Sequence, residues 1–377
     1  MSGAASLRGR GALHTRLRGK RVVVCVGAGG VGKTTTSAAL ALGLAQRGAK
    51  VAVVTIDPAR RLASALGLAE LPSEPQRIEP ALFGEQGVAI DGELWAMMLD
   101  AKRTFDELIG RLAPNDRARD EILGNPVYGE LSTAVAGSHE LSAIAKLYEL
   151  YEEHDFDVIV LDTPPSRNAL DFLDAPGRIL GFLEGRALQV FLGSSGLTAR
   201  VFGRGTALVF AIFARVTGVD MLGELSRFFR SLSGVTEGFG QRTRDVAALL
   251  RAPHTTFAIV TSPELEPARE AEFLLQKLAT SGMPVGELIV NRVHTHGLHG
   301  MSVAAVAELL APALGEPLAG RVAGNLEDFD VLAARDRETI AHLSQMWNAQ
   351  RPIVVPYLDE DVQDLPGLAR IAEHLFD

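Results

Sequence analysis

The chain has 377 residues, of which 46 are acidic and 37 basic, and its formal net charge at pH 7 is −9. This acidic net charge argues against a dedicated nucleic-acid-binding protein, because phosphate contacts require clustered Lys and Arg. Its hydrophobic fraction of 47% is typical of a globular protein, and its single cysteine excludes an internal disulfide. The longest apolar run, of about eight residues, is far short of the about 20 that a membrane-spanning helix needs. We therefore expect a cytoplasmic protein with no transmembrane segment.

Residues 1–20 form a basic N-terminal tail. They contain Arg8, Arg10, Arg16, Arg18 and Lys20 and no acid, and they lack the apolar core of a secretory signal. Two interpretations stay open: a solvated tail or short lead-in helix, and an arm that docks on a partner or a membrane surface.

Short apolar runs rich in β-branched residues follow the tail and predict strands. Most of these runs are apolar throughout, which is typical of strands buried on both faces. Helical patterns lie between them, for example over residues 34–47, 141–153 and 264–278. This alternation predicts an α/β fold with a doubly wound, mainly parallel sheet. The predicted strands are 21–27, 50–56, 94–99, 156–162, 256–261, 287–291 and 352–357.

Two long stretches, about 100–155 and 166–250, are rich in helical patterns. We interpret them as helical insertions into a single P-loop NTPase domain that covers residues 21–377. The second stretch carries Phe and Leu at helical spacing, from Leu180 to Phe229. That stripe is either core packing between helices or an apolar groove for a hydrophobic client or partner.

A phosphate-binding loop is the strongest motif of the chain, and it reads G-x-x-x-x-G-K-T from Gly27 to Thr34. It follows a predicted strand and opens a predicted helix, which is the context that the motif requires. Lys33 can reach the β- and γ-phosphates of a nucleotide, and the Thr34 hydroxyl can ligate Mg²⁺. The residues predicted to bind the phosphates are Gly29, Gly30, Val31, Gly32, Lys33, Thr34 and Thr35.

Two aspartates end predicted strands at the edge of the sheet where open α/β folds bind ligands. Asp57 can orient the water that attacks the γ-phosphate, or it can cap a helix that begins at Pro58. Asp162 has the Walker-B position and is predicted to hold Mg²⁺ with Thr34, the alternative being a turn-initiating residue before Thr163.

The motifs GAGGVGKTTTSAALALGLAQRG, TIDPARRLASALGL, LWAMMLD and VLDTPPSRNALDFL follow one another in order and spacing. Together they resemble the arsenite-pump ATPase and tail-anchored-protein targeting ATPase family of the deviant, MinD/ParA-like P-loop class, nearest its actinobacterial anion-transporting ATPase-like members. The resemblance implies a dimer that opens and closes with ATP. It supports Asp57 on the attacking water and Asp162 in a switch. It also implies that Asn291 contacts adenine, with Pro356 and Tyr357 near the base. The alternative for Asn291 is a turn residue at a strand end.

The chain departs from that family at several positions. The resemblance implies a lysine that reaches the partner's nucleotide, and here that position is Ala28. We expect slow turnover, a substitute cation such as Arg61 or Arg167, or a paralogous partner that supplies one. Cys25 stands alone, so the thiolates of a metalloid or zinc site are missing. The histidines after Asn291 (294, 296 and 299) have no acid beside them in sequence and favour a solvated loop.

These observations predict a dimeric, Mg²⁺-dependent ATPase that hydrolyses ATP to ADP and phosphate. It would be a homodimer or a heterodimer with a paralogue, and its conformational cycle would handle a hydrophobic client or lipid-like ligand. Two alternatives remain: an ATP-binding regulatory or scaffold protein with little hydrolysis, and the energising subunit of an anion pump.

Overall fold

A computed structural model describes residues 12–56, 61–125, 128, 138–163, 235–298, 300–347 and 351–376. Eight strands of these residues form one sheet in the order β3-β4-β2-β5-β1-β6-β7-β8. All neighbouring strands are parallel except the pair β3 and β4. The prediction of a mainly parallel α/β sheet is confirmed. The strands are Val22–Gly27 (β1), Lys50–Thr55 (β2), Gln76–Arg77 (β3), Glu93–Met98 (β4), Val158–Asp162 (β5), Thr255–Thr261 (β6), Val285–Val293 (β7) and Ile353–Pro356 (β8).

The helices of the described residues separate most of the strands, as the alternating pattern predicts. The longest one follows β7, and the helix that follows the phosphate loop has 14 residues. The helices are Ala12–Arg16 (α1), Lys33–Gln46 (α2), Arg61–Ala65 (α3), Pro80–Glu85 (α4), Ala101–Leu112 (α5), Asp116–Leu123 (α6), Ser138–Glu153 (α7), Thr236–Arg251 (α8), Leu265–Thr280 (α9), Val303–Leu314 (α10), Glu316–Met346 (α11) and Leu365–Phe376 (α12).

The burial of the central strands explains why the predicted strands are apolar throughout. Every residue of β1, β5 and β6 is buried, because helices cover both faces of a parallel sheet. The edge strand β3 was not predicted. It consists of two exposed polar residues, Gln76 and Arg77, so it has no apolar pattern to detect.

The chain divides into two compact units. The described residues within Met1–Met98, Asp155–Ala169 and Arg251–Asp377 form the first unit, which contains the sheet. Those within Leu99–His154 and Leu170–Leu250 form the second, helical unit. The number of independent domains stays a prediction, and the Phe and Leu stripe from Leu180 to Phe229 lies outside the described residues.

The described part of the helical unit contains α5–α8, of which α5 and α6 have side-chain caps at their N-termini. The Asp100 side chain caps α5 by accepting a hydrogen bond of 2.9 Å from the Arg103 backbone N–H. The Tyr128 hydroxyl donates to Asp106 at 2.6 Å. Burial and this carboxylate raise the pKa of Tyr128. A small core fixes the unit, and it consists of Ile109, Ile122, Tyr128 and Val235.

Both ends of the described chain pack on the first unit. Leu13 and Leu17 of the N-terminal segment are 1% and 5% exposed and belong to the main core. Arg16 forms an ion pair of 2.6 Å with the buried Glu287 of β7. At the other end, α12 packs against α2 so closely that a Cβ on Gly43 would collide with the Phe376 ring.

Candidate functional site

The phosphate loop begins at Gly27, the last residue of β1, and ends where α2 begins at Lys33. Glycine is required at both ends of the loop for steric reasons. A Cβ on Gly27 would collide with the Val260 carbonyl of β6. Gly32 has a left-handed φ of 87° and caps α2, and a Cβ there would collide with the Asn291 amide. The loop backbone therefore lies closely against the ends of β6 and β7.

Lys33 lies inside the loop rather than in solvent, since it is 7% exposed. Its Nζ donates a 2.7 Å hydrogen bond to the Ala28 carbonyl oxygen. A buried ammonium must be hydrogen-bonded, and here the backbone of its own loop provides an acceptor. The Lys33 ammonium thus lies against the backbone of the phosphate loop.

Asp162 is the centre of a polar cluster at the carboxyl ends of β2 and β5. Its side chain is 1% exposed. It accepts hydrogen bonds of 2.8 Å from the Thr34 hydroxyl and 2.9 Å from the Thr55 hydroxyl, and the Ser37 hydroxyl lies at 3.5 Å. The structure therefore joins Asp162 and Thr34, the two residues that the sequence predicts to share a cation.

Sequence reasoning missed Thr55 and Ser37 as members of this cluster. Thr55 ends β2 and Ser37 lies one helical turn after Lys33. The available signal was the run of hydroxyl residues after Lys33, together with the strand-end position of Thr55. Thr163 adds a further link, because its hydroxyl donates to the Cys25 carbonyl at 2.7 Å.

Asn291 is the last of five consecutive buried residues of β7 and is 7% exposed. Its Nδ2 donates a 2.9 Å hydrogen bond to the Val31 carbonyl of the phosphate loop. Its Oδ1 accepts from the Arg292 backbone N–H at 3.0 Å. The residue that the resemblance connects with adenine thus contacts the loop that is predicted to hold the phosphates.

Tyr357 follows β8 beside β7, and its backbone N–H donates to the Val293 carbonyl at 2.9 Å. Its ring is 60% exposed and is stacked on the His294 ring, with centroids 5.6 Å apart and an interplanar angle of 12°. Pro356 is the last residue of β8 and pairs with Val293. An exposed aromatic face is therefore available near the end of β7, as a base-binding position requires.

His294 and His296 lie in the loop after β7, as predicted, with side chains that are 22% and 42% exposed, but each of them contacts an acid. Asp336 of α11, which is 0% exposed, accepts hydrogen bonds from both the His294 backbone N–H at 2.9 Å and the His294 Nδ1 at 2.8 Å. His296 Nδ1 lies 3.2 Å from Asp330, whose pKa is lowered because hydrogen bonds from Leu298, His296 and Gly297 outweigh the effect of burial. These acids are distant in sequence, so local spacing could not reveal them. His299 lies outside the described residues.

Three predicted residues are not brought into this site by the described structure. Asp57 and Arg167 lie outside the described residues. Arg61 begins the short helix α3 and its side chain is exposed. Their predicted roles remain predictions.

Cys25 is fully buried in β1, and this burial raises the pKa of its thiol to about 12. Such a thiol is protonated at neutral pH and is a poor metal ligand. Within the described ranges, no cluster of three or more His, Cys, Asp or Glu side chains is arranged to hold a metal ion. A search of the same residues finds no helix with the length and apolar character that crossing a membrane requires.

The parallel sheet, the glycine-capped loop before α2 and the buried Asp162 define a P-loop NTPase. The family model for anion-transporting ATPases, the ArsA ATPase family, matches residues 20–299. The chain belongs to this family, and it is an ATPase.

Relatives of the chain bear two kinds of name. ATPase GET3 of Malassezia globosa is 28% identical over 279 residues, which cover 72% of each chain. ATPase GET3 of Chaetomium globosum is 24% identical over 369 residues, 95% of this chain and 91% of the relative. The putative arsenical pump-driving ATPase 1 of Aquifex aeolicus is 27% identical over 278 residues, 72% of this chain and 63% of the relative.

Proposed function

We propose that this ATPase depends on Mg²⁺, works as a dimer and couples its ATP cycle to the handling of a hydrophobic client. The observation that most supports the catalytic part is the contact between Asp162 and Thr34 beside the buried Lys33. It joins a carboxylate, a hydroxyl and a cation at one edge of a parallel sheet, where open α/β folds bind their ligands.

The chemistry of the donors fits Mg²⁺. Thr34 and Asp162 offer a hydroxyl and a carboxylate oxygen 2.8 Å apart, and Mg²⁺ takes oxygen ligands while it keeps several of its waters. The hydroxyls of Thr34 and Thr55 can rotate away from Asp162 without a change in the backbone. When bound, Mg²⁺ would neutralise charge on the β- and γ-phosphates.

In the proposed cycle the backbone of Gly29–Thr35 binds the phosphates at the start of α2, where the helix dipole is positive. Lys33 leaves the Ala28 carbonyl and pairs with the β- and γ-phosphates. Asp57 accepts a hydrogen bond from a water and orients it in line with the γ-phosphorus. The water oxygen then bonds to phosphorus while the bond to the bridging oxygen breaks, which gives ADP and phosphate.

Ala28 favours slow turnover. A cation donated from a partner subunit is worth about 10³–10⁵ in the rate of phosphoryl transfer. Ala28 is 5% exposed and its methyl group carries no charge. We propose that Arg61, Arg167 or a paralogous partner supplies the cation in a homodimer or heterodimer. The same observation favours the second candidate, an ATP-binding regulatory protein with little hydrolysis.

The proposed client is a hydrophobic protein segment or a lipid-like ligand that the helical unit handles in the cytoplasm. The resemblance to tail-anchored-protein targeting ATPases supports this choice. Arsenical transport is not included, because Cys25 is buried and the pKa of its thiol is about 12.

A fluorescent peptide with an apolar segment of about 20 residues tests whether the protein binds such a client. We expect it to bind in a nucleotide-dependent manner, and a version with interspersed charges should not bind.

The catalytic proposal is tested by steady-state phosphate release from Mg-ATP over a range of protein concentrations. We expect the rate per molecule to rise with concentration, and to fall about 10²-fold or more in Asp57→Asn, as loss of a water-orienting group predicts.

Lys33→Ala should abolish ATP binding. Lys20→Ala is the matched control, because Lys20 precedes β1 and its Nζ donates to the Pro253 carbonyl at 2.7 Å. Tight ATP binding without release that depends on Asp57 would support the regulatory candidate instead.

A further inference from the structure

The Asn291 side chain contacts the phosphate loop at two neighbouring residues. Its Nδ2 donates to the Val31 carbonyl at 2.9 Å, and the same nitrogen lies so close to Gly32 that a Cβ there would collide with it. Asn291 is 7% exposed, so the contact is shielded from water. Val31 and Asn291 are 260 residues apart in sequence. The contact therefore ties the end of β7 to the loop that precedes α2.

A β-bulge at the end of β7 directs this side chain. Val290 pairs with Val354 and Val293 pairs with Pro356, so β7 has one residue more than β8 between these pairs. Arg292, inside the bulge, has a φ of 60°, the only positive φ of a non-glycine residue in the described chain. This conformation is unfavourable for an L residue. The hydrogen bond from the Arg292 backbone N–H to Asn291 Oδ1 supports it.

The bulge is also anchored on its far side. The backbone N–H and the ring of His294 both donate to Asp336, which is fully buried in α11. A strained residue that is fixed on both sides is typical of a functional site rather than of an adjustable loop. The observed anchors thus hold the Asn291 amide against the phosphate loop.

We propose that Asn291 is a positioning residue for the phosphate loop, and that the left-handed Arg292 bulge sets its direction. The inference rests on the proposed function and extends it, because it gives Asn291 a role that does not depend on the base. The amide has two N–H donors, so one can hold Val31 while the other remains for a nucleotide. Loss of the amide therefore weakens the binding of any triphosphate.

Binding of Mg-ATP, Mg-GTP and Mg-tripolyphosphate to Asn291→Ala tests this role. We expect all three ligands to bind about tenfold more weakly than to the wild type, with the ratios between them unchanged, as expected when one buried hydrogen bond is lost. Tripolyphosphate has no base, so it isolates the effect on the loop. If Asn291→Ala weakens ATP alone and binds tripolyphosphate normally, Asn291 contacts only adenine and the inference is overturned.

Two substitutions at Arg292 provide a matched second test. Arg292→Gly and Arg292→Val both remove the same exposed guanidinium, but only valine is strongly disfavoured at a φ of 60°. We expect Arg292→Gly to bind all three ligands at least as tightly as the wild type, and Arg292→Val to lose about tenfold. Equal binding by the two variants would overturn the inference, since the backbone conformation would then be irrelevant. Circular dichroism verifies that each variant is folded.

The wild type and Lys33→Ala distinguish a failure of the proposed function from a failure of the role of Asn291 alone. If the wild type binds none of the three ligands, or if Lys33→Ala binds them normally, the proposed function fails and this inference fails with it. If Lys33→Ala abolishes binding while Asn291→Ala has no effect on tripolyphosphate, the proposed function stands and only the inference is overturned.

Discussion

Asp162 and Asp336 are equally buried aspartates of the same compact unit, at 1% and 0% exposure, yet their partners differ. Asp162 accepts hydrogen bonds from the Thr34 and Thr55 hydroxyls. Asp336 accepts from a backbone N–H and from a ring nitrogen of His294. A hydroxyl can rotate to a new partner, whereas the direction of a backbone N–H is fixed by the backbone, here directly after the bulge. The two carboxylates are equally buried, but their hydrogen-bond donors differ in mobility. Asp162, whose donors can rotate away, is suited to exchange them for a ligand, whereas Asp336 stabilises the fold.

Asp162→Asn tests whether Asp162 serves ligand exchange, and we expect it to change activity more than any other substitution at these carboxylates. We expect Mg²⁺-dependent phosphate release to fall about 10²-fold, because an amide is a poorer ligand for a hard cation than a carboxylate. Stability should change little, since the amide oxygen still accepts from a hydroxyl. Phosphate release and urea unfolding measure the two quantities. Asp157→Asn is the control: it removes an exposed carboxylate just before β5, whose Oδ2 accepts from the Lys50 N–H at 2.8 Å. A large loss of stability with unchanged release would reverse the comparison.

Asp336→Ala should have the opposite profile. Removing this acceptor leaves the His294 backbone N–H and ring without it, and we expect the free energy of unfolding to fall by about 2–3 kcal/mol. Urea denaturation measures the change. Asp328→Ala on the same helix serves as the control, because its side chain is exposed. An Asp336→Ala protein as stable as the control would mean that this pair does not fix the bulge.

Glu287 is a third buried carboxylate, and its partner is charged. Of the substitutions at these carboxylates, we expect Glu287→Gln to have the smallest effect, a change in the pH dependence of stability. Burial raises its pKa above the ordinary 4.5, although the hydrogen bond and charge of Arg16 oppose the rise. The native state therefore holds the proton to higher pH than the unfolded chain, so this group's contribution to stability is lost as pH rises above 4.5 through the folded pKa.

Urea unfolding at a series of pH values tests this linkage. Glu287→Gln should remove the part of the pH dependence that Glu287 causes above pH 4.5. The exposed Glu266→Gln should keep it. Identical pH profiles for the wild type and Glu287→Gln would contradict the assignment.

The sequence predicted those parts of the site that lie within one motif or at a strand end. Lys33 and Thr34 follow from the spacing of the phosphate loop, and Asp162 follows from its position after an apolar strand. Seven strands were predicted near their observed bounds, because burial on both faces leaves a continuous apolar run. Thr55 and Ser37 were missed because hydroxyl residues at a strand end or in a first helical turn are common, and that weak signal does not identify their partner. The predicted role of Asp57 awaits the test by Asp57→Asn.

The class of the protein follows from its sequence alone, because strand–helix alternation and a phosphate loop are local patterns fixed by backbone chemistry. Which distant residues complete the site depends on the tertiary structure. Val31 meets Asn291 and His294 meets Asp336 across 260 and 42 residues, and Leu13 enters the core although it belongs to a basic segment. Such contacts depend on which strands become neighbours in the sheet and on a single bulge in β7. Neither the strand order nor the bulge is encoded in a periodic pattern or a fixed residue spacing, so these contacts cannot be predicted before the strands are packed.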